Sequence, residues 1–304
     1  MDISPDAKPP AEKTARPQAV TIDTMVPLEM AVRAEQSGVN RAAMDPLTVF
    51  VLSLMGGAFV AFGAIFATTV SAGAGPSDYG VTRLLVGVVF SAGLIMVVVG
   101  GAELFTGNNL VVMAWASGKV KTRALLWNWV LAFAGNCIGA IVTAGLVFYS
   151  TQYTFGGGAV GLVALTTANT KAALAPVPAF TLGILCNALV CIAVWMCFSA
   201  RTNIDRAVTI IPPIAAFAAA GFEHCIANAY FIPLGLFIKA GADDTFWNSI
   251  GKTAADFPAL TWTNFFGNLL PVTAGNIIGG SLLVGAVYWF VYLRRQKSHA
   301  AGKG

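Results

Sequence analysis

GAELFTGN at residues 101–108 and GFEHCIAN at residues 221–228 decide how this chain folds. Each is a short polar cluster inside a long apolar segment. They align as Gly101-x-Glu103-x4-Asn108 and Gly221-x-Glu223-x4-Asn228. Downstream, a second pattern recurs at identical spacing: Asn128 is followed by Gly135-Asn136 and Gly139, and Asn268 by Gly275-Asn276 and Gly279. Two patterns in the same order make an internal repeat. A polar interruption frees backbone groups, which membrane depth tolerates only where protein or a water-filled cavity satisfies them. Inverted repeats with a broken helix in each half place a solute pathway at their interface, near the bilayer midplane.

Outward from the clusters, apolar segments are expected near 46–71, 83–116, 124–150, 176–199, 207–240 and 263–293. Each exceeds the ~20 residues needed to cross a ~30 Å hydrocarbon core. Of 304 residues, 57% are hydrophobic and 11% charged, with mean hydropathy +0.73; soluble domains are nearer a quarter charged. The 32 glycines suit close approach of membrane helices. The expected fold is an all-α membrane protein of six transmembrane spans, two inverted three-span repeats with spans two and five broken. An odd number of spans per copy turns the second copy upside down.

Four regions follow. Residues 1–26 read as a disordered cytoplasmic tail, polar and carrying Pro5, Pro9, Pro10 and Pro17. Residues 27–45 read as a helix with Leu28, Ala31, Val32 and Val39 on one side, either amphipathic at the cytoplasmic membrane face or a plain linker. Residues 46–293 form the transmembrane domain, and 294–304 a basic cytoplasmic tail. All but four of the 18 basic residues fall on one side when the N-terminus is cytoplasmic; Arg83, Lys171, Lys239 and Lys252 face outward. The positive-inside rule then puts both termini in the cytoplasm. No secretory signal is visible, so the first span is expected to act as its own insertion signal.

Other classes find little support. The net charge of +4 comes with neither a glycine-rich phosphate loop nor aromatic-basic alternation, so no nucleic-acid partner is expected. Cys137, Cys186, Cys191, Cys197 and Cys225 all lie in apolar segments and read as small apolar side chains. No metal-ligand cluster and no nucleophile–base pair stand at useful spacing, so no metal, cofactor or enzyme activity is expected.

Within the spans the ionisable groups of note are Glu103, Glu223 and His224, each expensive at mid-bilayer and so facing a pathway by default. Glutamates at equivalent repeat positions read as scaffold capping the freed N–H groups, or as direct solute contacts; Asn108 and Asn228 read the same way. His224 stands where the first copy has Leu104, so a need common to both halves does not explain it. Imidazole donates hydrogen bonds and exchanges protons near neutral pH, although a satisfied buried histidine is the plainer alternative. Thr106 supplies a hydroxyl, Leu104 and Phe105 an apolar narrowing, and the half-helix N-termini positive potential.

The chain resembles the formate/nitrite transporter family, its bacterial formate channels most of all. The resemblance rests on GAELFTGNNL (101–110), LCNALVCIAVWM (185–196), GFEHCIAN (221–228) and NLLPVTAGNIIGGSLLVG (268–285), and runs from about Pro27 to Arg295. It implies an aquaporin-like fold in the bacterial inner membrane, assembled among lipid as a homopentamer with one pore per subunit. Each pore is expected to pass a small monovalent anion, formate foremost, with nitrite as the alternative and a neutral-solute, aquaglyceroporin-like channel behind both. The Asn-Pro-Ala signature of water channels is absent. By position, the family's central pair falls on Thr106 and His224 and its inner constriction on Leu94, Leu104, Phe105 and Val190. The outer constriction falls on Phe90, Asn187 and Phe217, and the vestibule lysine on Lys171. The helix over 27–45 is implied to gate the cytoplasmic mouth. Gly107-Asn108 departs from the Ser-Thr more often found after the threonine in formate channels; glycine there also occurs in nitrite-type members.

Overall fold

The computed structural model describes residues 23–75 and 78–295, all helix and connecting turns with no strand among them. The two expected tails lie outside the described residues except for 23–26 and 294–295. Helix α1 (Pro27–Ala43) starts on a proline, whose fixed φ suits a first helical turn. Asp45 then accepts the Thr48 N–H to open α2 (Pro46–Ser71). Helix α3 (Tyr79–Gly100) gives way to four non-helical residues, 101–104, before α4 (Phe105–Asn108), a 3-10 turn and α5 (Val112–Ala116). Helix α6 (Thr122–Tyr149) completes the first half.

The second half runs through α7 (Ala159–Ala172), α8 (Pro176–Cys197), α9 (Asn203–Ala220), α10 (Cys225–Gly241), α11 (Asp244–Ile250) and α12 (Trp262–Ile277). Beyond α12 the helix continues in π-type turns to Leu293. Helix α9 ends at Gly221, again with four non-helical residues before α10. Gly101 and Gly221 sit at φ +76° and +78°, the left-handed region that side chains disfavour. Both polar clusters thus begin with the residue able to end a helix abruptly.

Among the described residues, five helical stretches are long and apolar enough to cross a membrane: Pro46–Ser71, Tyr79–Gly100, Thr122–Tyr149, Pro176–Cys197 and Trp262–Leu293. Helices α9 and α10, bent by 50° at their break, make a sixth if counted as one span. Leu47, Leu146, Leu270 and Phe290 lie exposed on the outside, a surface suited to lipid or to another subunit and not to water.

Helix α2 packs on α6 and α3, α8 packs correspondingly on α12 and α9, and α3 meets α9 between the halves. The repeated glycines mark where backbones touch. A Cβ on Gly139 would lie 2.0 Å from Leu54 O, and one on Gly279 2.1 Å from Ile184 O.

Two features of the elements lay outside the expectations. Helix α1 docks by Met30, Ala31, Ala34, Glu35 and Gly38, leaving Leu28 and Val32 exposed. At ~100° per residue the docked stripe is turned about a quarter turn from the face drawn through Leu28 and Val32. Small residues win this contact because the helix lies close; a Cβ on Gly38 would meet Ala114 Cβ at 3.0 Å. Helix α7 was absent from the expected segments; it precedes α8 as α1 precedes α2.

Candidate functional site

Two asparagines stitch the breaks. Asn136 Nδ2 donates to Ser53 O (2.6 Å) and Glu103 O (2.9 Å), while its Oδ1 accepts the Phe105 N–H (2.8 Å). Asn276 repeats this with Gly183 O (2.8 Å), Glu223 O (3.0 Å) and the Cys225 N–H (3.0 Å). Each amide satisfies three backbone groups, which a buried break cannot leave unpaired. The first N–H of each half-helix is therefore already engaged and not held open for an anion.

The glutamates take cations as partners, not the freed backbone N–H groups. Glu103 accepts from Asn108 Nδ2 (2.7 Å) and pairs with Arg41 (2.9 Å); Glu223 accepts from Asn228 Nδ2 (2.6 Å) and Lys171 Nζ (2.7 Å). Asn108 and Asn228 also donate to Asn128 (3.0 Å) and Asn268 (2.7 Å). Those two in turn donate to the carbonyls of Arg41 (3.3 Å) and Lys171 (2.9 Å). A buried carboxylate needs such pairing, and each half meets the need with one cation and one asparagine amide. One signal could have revealed Arg41 and α7: Arg41 and Lys171 each stand five residues before the proline that opens the next helix, Pro46 and Pro176.

His224 caps α10, its Nδ1 accepting the Ala227 N–H at 3.1 Å. A ring accepting at Nδ1 carries its proton on Nε2. That nitrogen lies 3.0 Å from Thr106 Oγ1, so the imidazole donates to the threonine. Phe217 stacks on the ring at 6.1 Å between centroids and meets Phe90 edge-on at 5.6 Å.

Three cavities lie in series along these residues. The first, about 390 Å³, is walled in part by Arg33, Arg41, Arg206, Leu94 and Leu104. The last, about 410 Å³, includes Arg83, Lys171, Phe90, Phe217 and His224 in its wall. Between them sits a chamber of about 10 Å³, scarcely one water. Leu94 and Leu104 line both the first cavity and the chamber; Phe90, Phe217 and His224 line both the chamber and the last cavity. Two thin partitions therefore separate three spaces.

The structure gathers Leu94, Leu104, Val190, Phe90, Phe217 and His224 around the chamber and adds Val60, Gly93 and Ile214, which sequence reasoning missed. Phe105 is not in the chamber wall; its ring packs against Phe133 (5.1 Å) and Trp129 (6.5 Å). Asn187 is likewise set back, its Nδ2 donating to Thr106 O (3.3 Å), Asn109 Oδ1 (3.1 Å) and Asn276 O (2.7 Å). Thr106 is fully buried behind His224. Lys171 lines the last cavity but is paired with Glu223 and lies 5.7 Å from the centre of the Phe231 ring.

Comparison with known proteins follows the same lines. The family described as Formate/nitrite transporter matches residues 28–290. The formate channel FocA of Escherichia coli K12 is 42% identical over 278 residues, spanning 91% of this chain and 98% of that protein. The formate channel FocA of Haemophilus influenzae is 37% identical, over 88% and 95%. A solved structure described as a pentameric formate channel with formate bound superposes with a TM-score of 0.78 at 42% identity, covering 82% of this chain and 98% of that one.

Proposed function

The chain belongs to the formate/nitrite transporter family, and from that premise we propose that it passes formate across the inner membrane through a pore in each subunit of a homopentamer. In this reading the chain spans the membrane six times as two inverted three-span halves, with the spans carrying residues 101–104 and 221–224 broken. The fold is aquaporin-like, and α1 gates the cytoplasmic mouth. The equivalent networks around Asn136 and Asn276 support the pairing of halves. The three cavities in series carry the functional reading.

A small carboxylate gathers in a cationic end cavity and must shed water to enter a chamber of about 10 Å³. A bare anion there would lose most of its hydration, at a cost of several kcal/mol or more. His224 supplies the replacement. Its Nε2–H, parked on Thr106 at rest, is the polar hydrogen beside the chamber, and turning it to a carboxylate oxygen gives back one hydrogen bond or hands over a proton. Thr106 is then a positioning residue. Leu94, Leu104, Phe90 and Phe217 exclude larger solutes, while Glu103, Asn108, Glu223 and Asn228 hold the breaks. Nitrite, alike in size and charge, is the second reading, favoured by Gly107 in the wall of the first cavity where the motif departs from the formate type.

Flux into proteoliposomes, with formate and nitrite compared directly, tests this. Wild type should pass formate, and His224→Phe should lose it while assembling normally. His224→Asn should retain some flux without dependence on external pH, because Asn donates a hydrogen bond but does not titrate. His224→Phe oligomers of normal size passing formate at wild-type rate would reduce His224 to a packed histidine.

A further inference from the structure

Arg83, on the first turns of α3, reaches across to the second half of the chain. Its Nε donates to Ala219 O at 2.8 Å and its Nη2 to Ala218 O, two of the last three carbonyls of α9 before the break at Gly221. A helix C-terminus carries roughly half a negative charge, repulsive to an approaching anion. This one ends at the wall of the last cavity, where Ala218, Gly221 and Phe222 all stand.

The charged side chains in that wall are Arg83, Lys171 and Glu223. Lys171 and Glu223 pair at 2.7 Å and so nearly cancel at a distance. Arg83 bonds to neutral carbonyls and has no salt bridge among the described residues. The surplus positive charge of the cavity is therefore its guanidinium. Helix repair alone does not explain it. At the equivalent end of α3, Gly101 and Ala102 close the turn onto Val97 O, and no side chain donates to Val98 or Val99 among the described residues. One break receives an arginine and its twin does without.

We propose that Arg83 is a specificity-determining residue of the outer cavity: it neutralises the carbonyl end of α9 and supplies the net charge that concentrates small anions before the Phe90–Phe217–His224 partition. Lys171, locked to Glu223, belongs to the wall. This rests on the anion-passage reading.

The test compares formate uptake by proteoliposomes of wild type, Arg83→Gln and Arg83→Lys at low and high ionic strength. Removal of one unit charge near the path should lower low-salt uptake about fivefold in Arg83→Gln. The deficit should shrink to less than about twofold near 1 M salt, where the screening length is ~3 Å. The loss should appear at subsaturating formate and vanish at saturation, and Arg83→Lys should restore most of it. Arg83→Gln oligomers matching wild type at low salt would overturn the proposal. So would equal, salt-independent losses in both variants, which would make Arg83 a helix clamp only. Wild-type vesicles impermeable to formate and nitrite would instead overturn the anion-passage reading beneath it.

Discussion

The Arg41–Lys171 pair separates what a residue does from where it stands. Arg41 reaches both Glu103 and Asn108 Oδ1, whereas Lys171 reaches Glu223 and leaves Asn228 Oδ1 buried without a partner among the described residues. Both contacts come from one nitrogen, Arg41 Nη1, so the difference is one of reach: the longer arginine sets its planar NH2 between the two acceptors, where the lysine ammonium stops at the carboxylate. Lys171→Arg is thus expected to satisfy Asn228 and raise stability by about 1 kcal/mol, read as a higher melting temperature of the detergent-solubilised oligomer. An unchanged or lower value would mean that the network around Glu223 has no room for the guanidinium. Neighbouring Leu104 and Phe105 divide in the same way. Leu104→Ala should widen the inner partition and admit acetate, while Phe105→Ala should cost about 3–5 kcal/mol of stability with selectivity intact, its ring being packed on Phe133 and Trp129. Broadened selectivity in Phe105→Ala would return that ring to the pathway. Glu103, Glu223 and His224 were legible in the sequence because charge inside an apolar run is conspicuous. Thr106 was named beside them, but Arg41 was not, since it reaches Glu103 from a distant helix and only its place five residues before Pro46 hints at the pairing.

At the scale of elements, the repeated glycines carry the packing. Gly139→Ala or Gly279→Ala would drive a methyl into the carbonyl of Leu54 or Ile184 and separate two helices. A loss of about 1–3 kcal/mol is expected for each, as for overpacked cores. Gly267→Ala, in the same helix as Gly275 but with nothing within 4 Å of its Cβ, should be neutral or slightly stabilising. Equal melting shifts for Gly267→Ala and Gly279→Ala would show that close approach is not the cause. The long apolar helices were readable from composition, because length and hydropathy suffice there. Helix α7 was not, since AVGLVALTTANTKA is short and has no strong apolar stripe. Its likeness to α1 lies in its closing cation and the proline that follows, not in its own side chains.

Across the whole molecule, the halves reach the same bonding pattern from sequences that share few residues beyond the quoted motifs. Cysteines placed at Lys121 and Asp243 should be labelled from opposite faces, the first from the cytoplasm and the second from outside. Labelling of both from one face would undo the inverted arrangement. The pattern of polar breaks was legible because both copies preserve it. The chamber between them was not, since Val60, Gly93 and Ile214 come from three separate helices and look like any other apolar positions. That chamber has a bearing on cellular energetics. Protons hop along unbroken files of water, and a gap holding scarcely one molecule, walled by leucine and phenylalanine, interrupts any such file between the two wide mouths. Bare protons therefore have no water path through the pore, and any proton that crosses must travel with the solute by way of His224.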